Sequence, residues 1–282
     1  MKLTPRYDDP SFLRFEGPLD DPSVALLQQR RRLESILAEL DDGQWAAPSR
    51  CEEWSVRDVV SHLVDTNQFW AISIAAARAG EPTRFLAAFD PVATPAELVD
   101  GVRSLPWAAV LDRFVESNDA LADSVAGLDD DTWSMLGEAP PGHVALRGVA
   151  LHALWDAWIH ERDITLPLGL DPVEDADEIA ACLRYAAVVS PALAVAGGST
   201  RQGSIVVEAT DPDVRVVVDV GEAILVHDGE PATDALHLTG SAVRLVEALS
   251  YRAPLQPPVA DEHRWLFDGL ADVFDRDRGE AA

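Results

Sequence analysis

Segments with helical apolar periodicity, repeated through the first 165 residues, constrain the fold more than any other feature of this sequence. The first runs from Pro22 to Leu40 and places its aliphatic residues on one stripe of a helix. The second begins after Ser55, where a serine followed three residues later by Asp58 indicates a capping box. It extends to about Gly80, a residue suited to the position just after a helix. Both segments predict long helices.

A third helical segment has a marked start and an internal break. Thr94 followed by Pro95 is typical of an N-cap and a first helical residue. Pro106 lacks a backbone N–H, so it is expected to kink or divide the segment before the apolar face continues to Gly127.

A fourth helix is predicted from about Ala145 to Asp163, after an acidic run at 129–131 that predicts a solvated connection. Four helices of these lengths predict a bundle.

The sequence changes character after Pro172. One more helix is expected from Asp175 to Val195, and short runs rich in valine and isoleucine follow it, separated by turn sequences. The predicted strands are Ser204–Ala209, Val214–Val220, Ala223–His227 and Ala235–Leu238. Helices at Ser241–Tyr251 and His263–Arg276 complete a small α+β unit with an antiparallel sheet. We therefore expect two domains, residues 20–170 and 171–282.

Charge and composition exclude several classes of function. The 49 acidic residues outnumber the 22 basic ones, and the net charge of −27 repels nucleic acid and anionic membranes. Apolar stretches such as 69–79 fall short of the roughly 20 residues that cross a bilayer, and residues 1–9 lack the pattern of a secretory signal. Two distant cysteines give no disulfide framework. A cytoplasmic protein is expected.

Histidine and aspartate at helical spacing predict a metal site. Asp156 and His160 are four residues apart on the fourth helix, so both side chains reach one point. His62, near the middle of the second helix, is the best candidate for a third ligand. Imidazole and carboxylate groups are suitable ligands for zinc and related divalent ions, and three protein ligands leave a coordination position open.

Other residues near these motifs have simpler interpretations. His152 is a fourth ligand, a partner of a ligand or an exposed residue, and the last two are favoured. Asp163 and Glu161 beside Arg162 are interpreted as a charged helix end, and Cys51 as a packing residue. The tryptophans Trp54, Trp155 and Trp158 are interpreted as core residues. No site role is assigned to the remaining histidines, which are His143, His227, His237 and His263.

Two motifs carry a resemblance to a known family. The segment from Cys51 through Trp54 and Asp58 to His62-Leu63, and the later segment Trp155–Asp163, resemble the mycothiol-dependent maleylpyruvate isomerase family of the DinB-like metal-binding superfamily. The resemblance spans roughly residues 20–170. It implies a mainly α protein with a DinB-like four-helix bundle that binds a divalent metal, most often zinc, through His62, Asp156 and His160. The family's founding enzyme has Glu at the carboxylate position, and the shorter Asp156 is expected to affect metal affinity or preference.

The resemblance also implies a reaction class. The open position of the metal would take the thiol of mycothiol and lower its pKa, and the thiolate would add to a small electrophilic substrate. The chain is thus expected to be an isomerase or an S-transferase with a small-molecule thiol and an electrophile as partners. Two alternatives stay open: a non-catalytic protein that keeps the bundle to bind small molecules or other proteins, and a hydrolase using metal-bound water with an unidentified general base.

Overall fold

The computed structural model describes residues 3–7, 12–17, 21–232 and 234–274 of the chain. Its helices are α1 (Pro22–Ala38), α2 (Asp42–Trp45), α3 (Val56–Arg78), α4 (Ala93–Val102), α5 (Trp107–Val125), α6 (Asp130–Trp133), α7 (Leu146–Thr165), α8 (Ala176–Ala196), α9 (Ala242–Leu249) and α10 (Trp265–Val273). Its strands are β1 (Leu13–Phe15), β2 (Leu136–Ala139), β3 (Gly142–Ala145), β4 (Gly203–Thr210), β5 (Val214–Val220), β6 (Ile224–His227) and β7 (Ala235–Ser241).

The long helices α1, α3, α5 and α7 pack against one another and form the predicted four-helix bundle. Ser55 caps α3 as the sequence indicated, and the Asp21 carboxylate, which the sequence analysis did not single out, caps α1. Fully buried aliphatic and aromatic side chains, such as Leu33, Leu63 and Phe114, fill the space between the helices near the site described below. The mainly α four-helix bundle predicted from the sequence is thus confirmed.

Pro106 divides the third helical segment, as predicted, because it lies at the N-cap of α5. The predicted start of that segment was wrong by two residues, since α4 begins at Ala93 and Thr94 lies inside it. The Asp90 carboxylate accepts the backbone N–H groups of Val92 and Ala93. Asp90 therefore replaces Thr94 as the residue that satisfies the first turn.

The connection at 129–131 is also more ordered than predicted, because Asp129 caps the short helix α6. A hairpin of β2 and β3 follows, which the sequence analysis did not identify.

Glu138 in β2 is fully buried, and its carboxylate accepts four hydrogen bonds. The donors are the Tyr7 and Thr83 hydroxyls and the backbone N–H groups of Phe85 and Leu86. This single carboxylate secures the loop between α3 and α4.

The C-terminal part contains the predicted strands in a five-stranded sheet with the order β1-β6-β5-β4-β7. The central pairings, β4 with β5 and β5 with β6, are antiparallel as predicted, whereas β7 joins β4 and β1 joins β6 in parallel. Because β1 precedes residue 20, the sheet combines a strand that comes before the bundle in the sequence with four strands that come after it. The division into domains at residue 170 stays a prediction.

Helix α8 connects the two parts and is the most apolar long helix of the described residues. Its most apolar 18-residue window has a mean hydropathy of 1.8, enough by length and composition to span a membrane, so the expectation that the apolar stretches fall short of that length did not account for this helix. However, 72% of its most apolar window is buried inside the protein. It packs against α7, α9, α10 and the sheet. These contacts identify α8 as a core helix.

Candidate metal centre

His62 lies in the second turn of α3 and not near its middle as predicted, and the capping box at the start of that helix fixes its position. The Ser55 hydroxyl accepts the backbone N–H of Asp58, and the Asp58 carboxylate accepts the backbone N–H of Ser55 at 2.9 Å. The ring of Trp54 lies 5.3 Å from the ring of His62, between centroids. Trp54, interpreted as a core residue from the sequence, is half-buried and lines the site.

Asp156 and His160 lie one turn apart on α7 and face His62. The Nε2 atom of His160 is 3.6 Å from Oδ1 of Asp156, and the two side chains are only 11% and 16% exposed. The rings of His62 and His160 meet edge to face with centroids 5.1 Å apart. The structure therefore brings together the three residues that the sequence analysis singled out.

These three side chains form a donor set that fits a divalent metal ion. One donor atom from each lies within 4.8 Å of the donor atoms of the other two. The Oδ2 atom of Asp156 is buried and has no hydrogen-bond partner, which is a costly arrangement unless another group satisfies it. Two imidazole nitrogens and one carboxylate oxygen are ligands that zinc takes. Among the residues that the structure describes, no fourth histidine, cysteine or carboxylate joins this group.

The electrostatics of the site differ between its two histidines. Burial, with a smaller contribution from the charge of His160, lowers the pKa of His62 to about 4, so this ring is neutral at pH 7. Burial opposes the charged form of His160 as well. The neighbouring Cys51, Asp163 and Asp156 outweigh it and raise the pKa of His160 to about 10.

Asp156 is held in its charged form. Burial disfavours the carboxylate, but the imidazoles of His160, His62 and His152 and the guanidinium of Arg30 together hold the pKa of Asp156 below its ordinary value. An ionised carboxylate beside a neutral imidazole is the protonation state that metal binding requires.

A buried arginine supports this charge from inside the bundle. The Arg30 side chain is fully buried, and burial lowers its pKa to about 10. Its guanidinium donates to Oδ1 of Asn67 at 2.9 Å, to Oε1 of Gln29 at 2.6 Å and to the Ala153 carbonyl at 3.1 Å. Arg30 is therefore hydrogen-bonded by neutral acceptors, and its positive charge acts on Asp156.

The second ring nitrogen of His160 faces a different pair of side chains. Its Nδ1 atom lies 3.1 Å from Oδ2 of Asp163 and 3.6 Å from Sγ of Cys51. The Cys51 thiol also donates to Oδ2 of Asp163 at 3.2 Å. The interpretation of Cys51 as a packing residue missed these polar contacts, because its partners lie more than a hundred residues away in the chain.

Asp163 belongs to the charged helix end that the sequence indicated, but it is fully buried and ion-paired. Its carboxylate accepts from Nε of Arg50 at 3.0 Å and from Nε and Nη2 of Arg252 at 2.9 and 2.8 Å. The neighbouring carboxylate of Glu161 is also ion-paired, with Arg32 at 2.8 Å. Contacts with distant arginines allow these carboxylates to be buried.

Glu247 of α9 completes this ionic network. Its carboxylate accepts two hydrogen bonds from Arg50, at 2.9 and 3.1 Å, and one from Nε of Arg162 at 2.8 Å. The network joins the loop before α3, the end of α7 and the C-terminal part. No signal in the sequence linked these residues.

His152, one turn before Asp156 on α7, does not belong to the group of three metal-type donors. Its Nδ1 atom is 2.5 Å from the Tyr185 hydroxyl, and its ring packs against Trp70, Trp155 and Tyr185 with centroids 4.8 to 5.3 Å apart. Burial lowers the pKa of His152 to about 4 and raises the pKa of Tyr185. His152 is thus buried, not exposed, and it lies outside the donor group.

Two of the predicted core tryptophans are buried as expected. Trp158 is 1% exposed and packs under the Arg162 guanidinium, which lies 4.8 Å from its ring centroid. The indole N–H of Trp155 donates to the Ser250 hydroxyl at 2.8 Å. Trp155 therefore also connects α7 to the C-terminal part.

The remaining histidines lie apart from this site. His143 contacts the Thr83 carbonyl and His227 contacts Asp219, while His237 is exposed and His263 is half-buried. Within the described ranges, none of the four belongs to a group of three metal-type donors.

Comparisons with known proteins place the chain in a family. Residues 26–165 match the family model described as the mycothiol maleylpyruvate isomerase N-terminal domain. Matching solved structures include crystal structures of the mycothiol-dependent maleylpyruvate isomerase and of its histidine-to-alanine variant. Each is 18% identical to this chain with a TM-score of 0.60, and the match covers 84% of this chain and 90% of the other.

At this level of identity, the solved structures establish a shared fold. No curated protein sequence matches the chain. The match of residues 26–165, which contain all three metal-type donors, is the finding that assigns the family. Residues 26–165 therefore belong to the mycothiol maleylpyruvate isomerase family, and the solved structures show that the chain shares the fold of the mycothiol-dependent maleylpyruvate isomerase.

Proposed function

We propose that this protein is a mycothiol-dependent, metal-assisted isomerase or S-transferase that acts on a small electrophile, with His62, Asp156 and His160 as the ligands of its divalent ion. The observation that carries the proposal is the convergence of these three donors within 4.8 Å on two helices of the family's bundle. Zinc is the ion we expect, because it combines readily with imidazole and carboxylate ligands.

The number of ligands supports a catalytic site over a structural one. Structural zinc sites are closed by four protein ligands, whereas catalytic sites have three and an open position. In the described part of the chain, the donor group has three members, and His152 is engaged with Tyr185 instead. A divalent ion bound here would lower the pKa of a thiol at its open position, as metal ions do for coordinating thiols.

The protein's own side chains prepare this site. His62 is neutral and offers a lone pair, while Asp156 is ionised with Oδ2 unpaired. Trp54 beside His62 gives the site an apolar wall on the side of α3. Such a wall excludes water from charged groups and favours bound apolar parts of a substrate.

The reaction can be tested with purified protein loaded with zinc. Maleylpyruvate and a panel of small electrophiles would be offered with and without mycothiol, and product followed by absorbance and mass spectrometry. We expect turnover that requires both metal and thiol and falls at least a hundredfold in His62→Ala and His160→Ala. His237→Ala, which removes an exposed histidine from β7, serves as the matched control.

One observation favours the non-catalytic alternative. His160 lies between Asp156 and Asp163, at 3.6 and 3.1 Å, so its cation is already paired without a metal ion. If His160 stays paired with these two carboxylates and no metal ion binds, the bundle would serve only to bind small molecules or other proteins. Absence of metal-dependent turnover with every electrophile, in protein that does hold mycothiol, would support that alternative.

A further inference from the structure

The two ring nitrogens of His160 face two different carboxylates. Nε2 is 3.6 Å from Oδ1 of Asp156, on the side of His62, and Nδ1 is 3.1 Å from Oδ2 of Asp163. A neutral imidazole carries one N–H and one lone pair, and the hydrogen bond made by one nitrogen decides which nitrogen can bind a metal. A carboxylate at Nδ1 accepts the N–H and leaves the lone pair on Nε2. That lone pair is on the nitrogen that lies 3.6 Å from Oδ1 of Asp156.

Asp163 is itself held rigidly from two sides. The Arg50 guanidinium donates to Oδ1, and the backbone N–H of Arg50 donates to the Asp163 carbonyl, both at 3.0 Å. Arg252, from the segment after α9, donates to both carboxylate oxygens. The acceptor of the His160 proton is therefore fixed by the loop before α3 and by the C-terminal part, and not by α7 alone.

We propose that Asp163 is a positioning residue of the metal centre: it holds His160 in the tautomer and orientation that direct Nε2 to the ion. The inference rests on the proposed ligation by His62, Asp156 and His160. Partners of this kind are general features of metal-bound histidines, and their loss typically weakens metal binding about 10- to 100-fold.

Cys51, His160 and Asp163 also form a group of metal-type donors, but the charges around them disfavour an ion there. Asp163 already receives two guanidinium groups, and Nη2 of Arg252 lies 3.9 Å from Sγ of Cys51. A divalent cation would have to displace these positive charges. Cys51, His160 and Asp163 are therefore interpreted as a hydrogen-bonded group and not as a second metal site.

Asp163→Asn tests the proposal because it keeps the shape of the side chain and removes its charge. We expect zinc affinity, measured by competition with a chromophoric chelator, to fall 10- to 100-fold. Glu247→Gln is the matched control, since Glu247 pairs with Arg50 and Arg162 in the same network without touching His160. Its zinc affinity should stay within about threefold of wild type, an expectation that follows from the absence of contact with a ligand.

The results separate this inference from the proposed function. If the wild-type protein binds no zinc, the proposed ligand set is ruled out, and with it the positioning role of Asp163. Wild type that binds zinc while Asp163→Asn binds equally well overturns the positioning role alone. Equal weakening in Asp163→Asn and Glu247→Gln also overturns it, because the effect would then come from the network as a whole.

A second measurement does not depend on Asp163→Asn and applies even where that variant does not fold. Nitrogen-15 NMR of the zinc-loaded wild type reports which imidazole nitrogen of each histidine carries a proton, and His160→Gln assigns the resonance. We expect His160 to be protonated at Nδ1 and metal-bound at Nε2. Metal bound at Nδ1 would overturn the proposal.

Discussion

Arg252 forms a two-point ion pair with Asp163, with Nε 2.9 Å from Oδ1 and Nη2 2.8 Å from Oδ2. Because Asp163 lies at the end of α7 and Arg252 follows α9, this pair joins the helix of the candidate metal centre to the C-terminal part. Both side chains are buried or nearly so, at 0% and 12% exposed. The C-terminal part therefore contributes directly to the structure around His160.

Replacing Arg252 should destabilise the fold. Arg252→Gln leaves the buried Asp163 with fewer partners, and breaking a buried ion pair on one side costs about 3 kcal/mol or more. Urea unfolding would measure the change in the free energy of unfolding. Arg264→Gln, which breaks an exposed pair with Asp261, is the control and should cost less than about 1 kcal/mol. If both variants lose the same small amount of unfolding free energy, the ion pair between Arg252 and Asp163 contributes little to stability.

Metal affinity should depend on pH through His160. Its pKa of about 10 means that both ring nitrogens carry protons near neutral pH in the metal-free protein, and a metal ion on Nε2 must displace one proton. His62, with a pKa of about 4, releases none in this range. We expect zinc affinity to rise about tenfold per pH unit between pH 6 and 8, with about one proton released. Calorimetry in buffers of different ionisation enthalpy counts the protons, and release of none would contradict this account.

Acid should weaken the network at Glu247. Burial raises the pKa of this carboxyl, but hydrogen bonds and charges from Arg50 and Arg162 outweigh burial and lower it below the ordinary value. A depressed folded-state pKa contributes stability above the unfolded-state pKa, and that stability is lost as pH falls through the folded-state value.

Glu247→Gln should therefore destabilise the protein at pH 7 by about 1–3 kcal/mol, the range for losing hydrogen bonds to a charged group. The difference from wild type should shrink as pH falls below the unfolded-state pKa toward the depressed folded-state pKa of Glu247, because the wild-type carboxyl then becomes protonated as well. Urea unfolding at pH 7, 5 and 3.5 would follow it. A difference that is the same at each pH would exclude the ionised Glu247 as its source.

The length of the carboxylate ligand can be tested at Asp156. Asp156→Glu restores the longer side chain of the family pattern, and we expect it to bind zinc at least as tightly as wild type. Asp156→Asn keeps the size but loses the charge, so zinc binding should weaken at least tenfold, as expected for loss of an anionic ligand. Chelator competition compares the variants. Tight binding by the asparagine variant would show that Asp156 is not a ligand.

Local signals in the sequence predicted most of the helices and strands. The capping box of Ser55 and Asp58 and the break at Pro106 act over a few residues, so they can be read without knowledge of the fold. The spacing of Asp156 and His160 predicted that their side chains lie close together for the same reason, because residues four apart on a helix share a face. The hairpin of β2 and β3 was missed because two four-residue strands beside a long helix have too little periodicity to be recognised.

Long-range contacts were not accessible from the sequence. Asp163 was interpreted only as part of a charged helix end, because its partners Arg50 and Arg252 lie 113 and 89 residues away. Cys51 looked like a packing residue because His160 lies 109 residues away. A buried charge is stable only with such partners, and only the folded chain brings them together.

The measurement that tests the central claim most directly is the metal content of protein purified without chelators. Elemental analysis would compare wild type with His160→Ala and with His237→Ala as the control. We predict close to one zinc or other divalent ion per chain in the wild type and control, and loss of that ion in His160→Ala. Wild type that holds no metal after incubation with excess ion would contradict the account and favour the non-catalytic function.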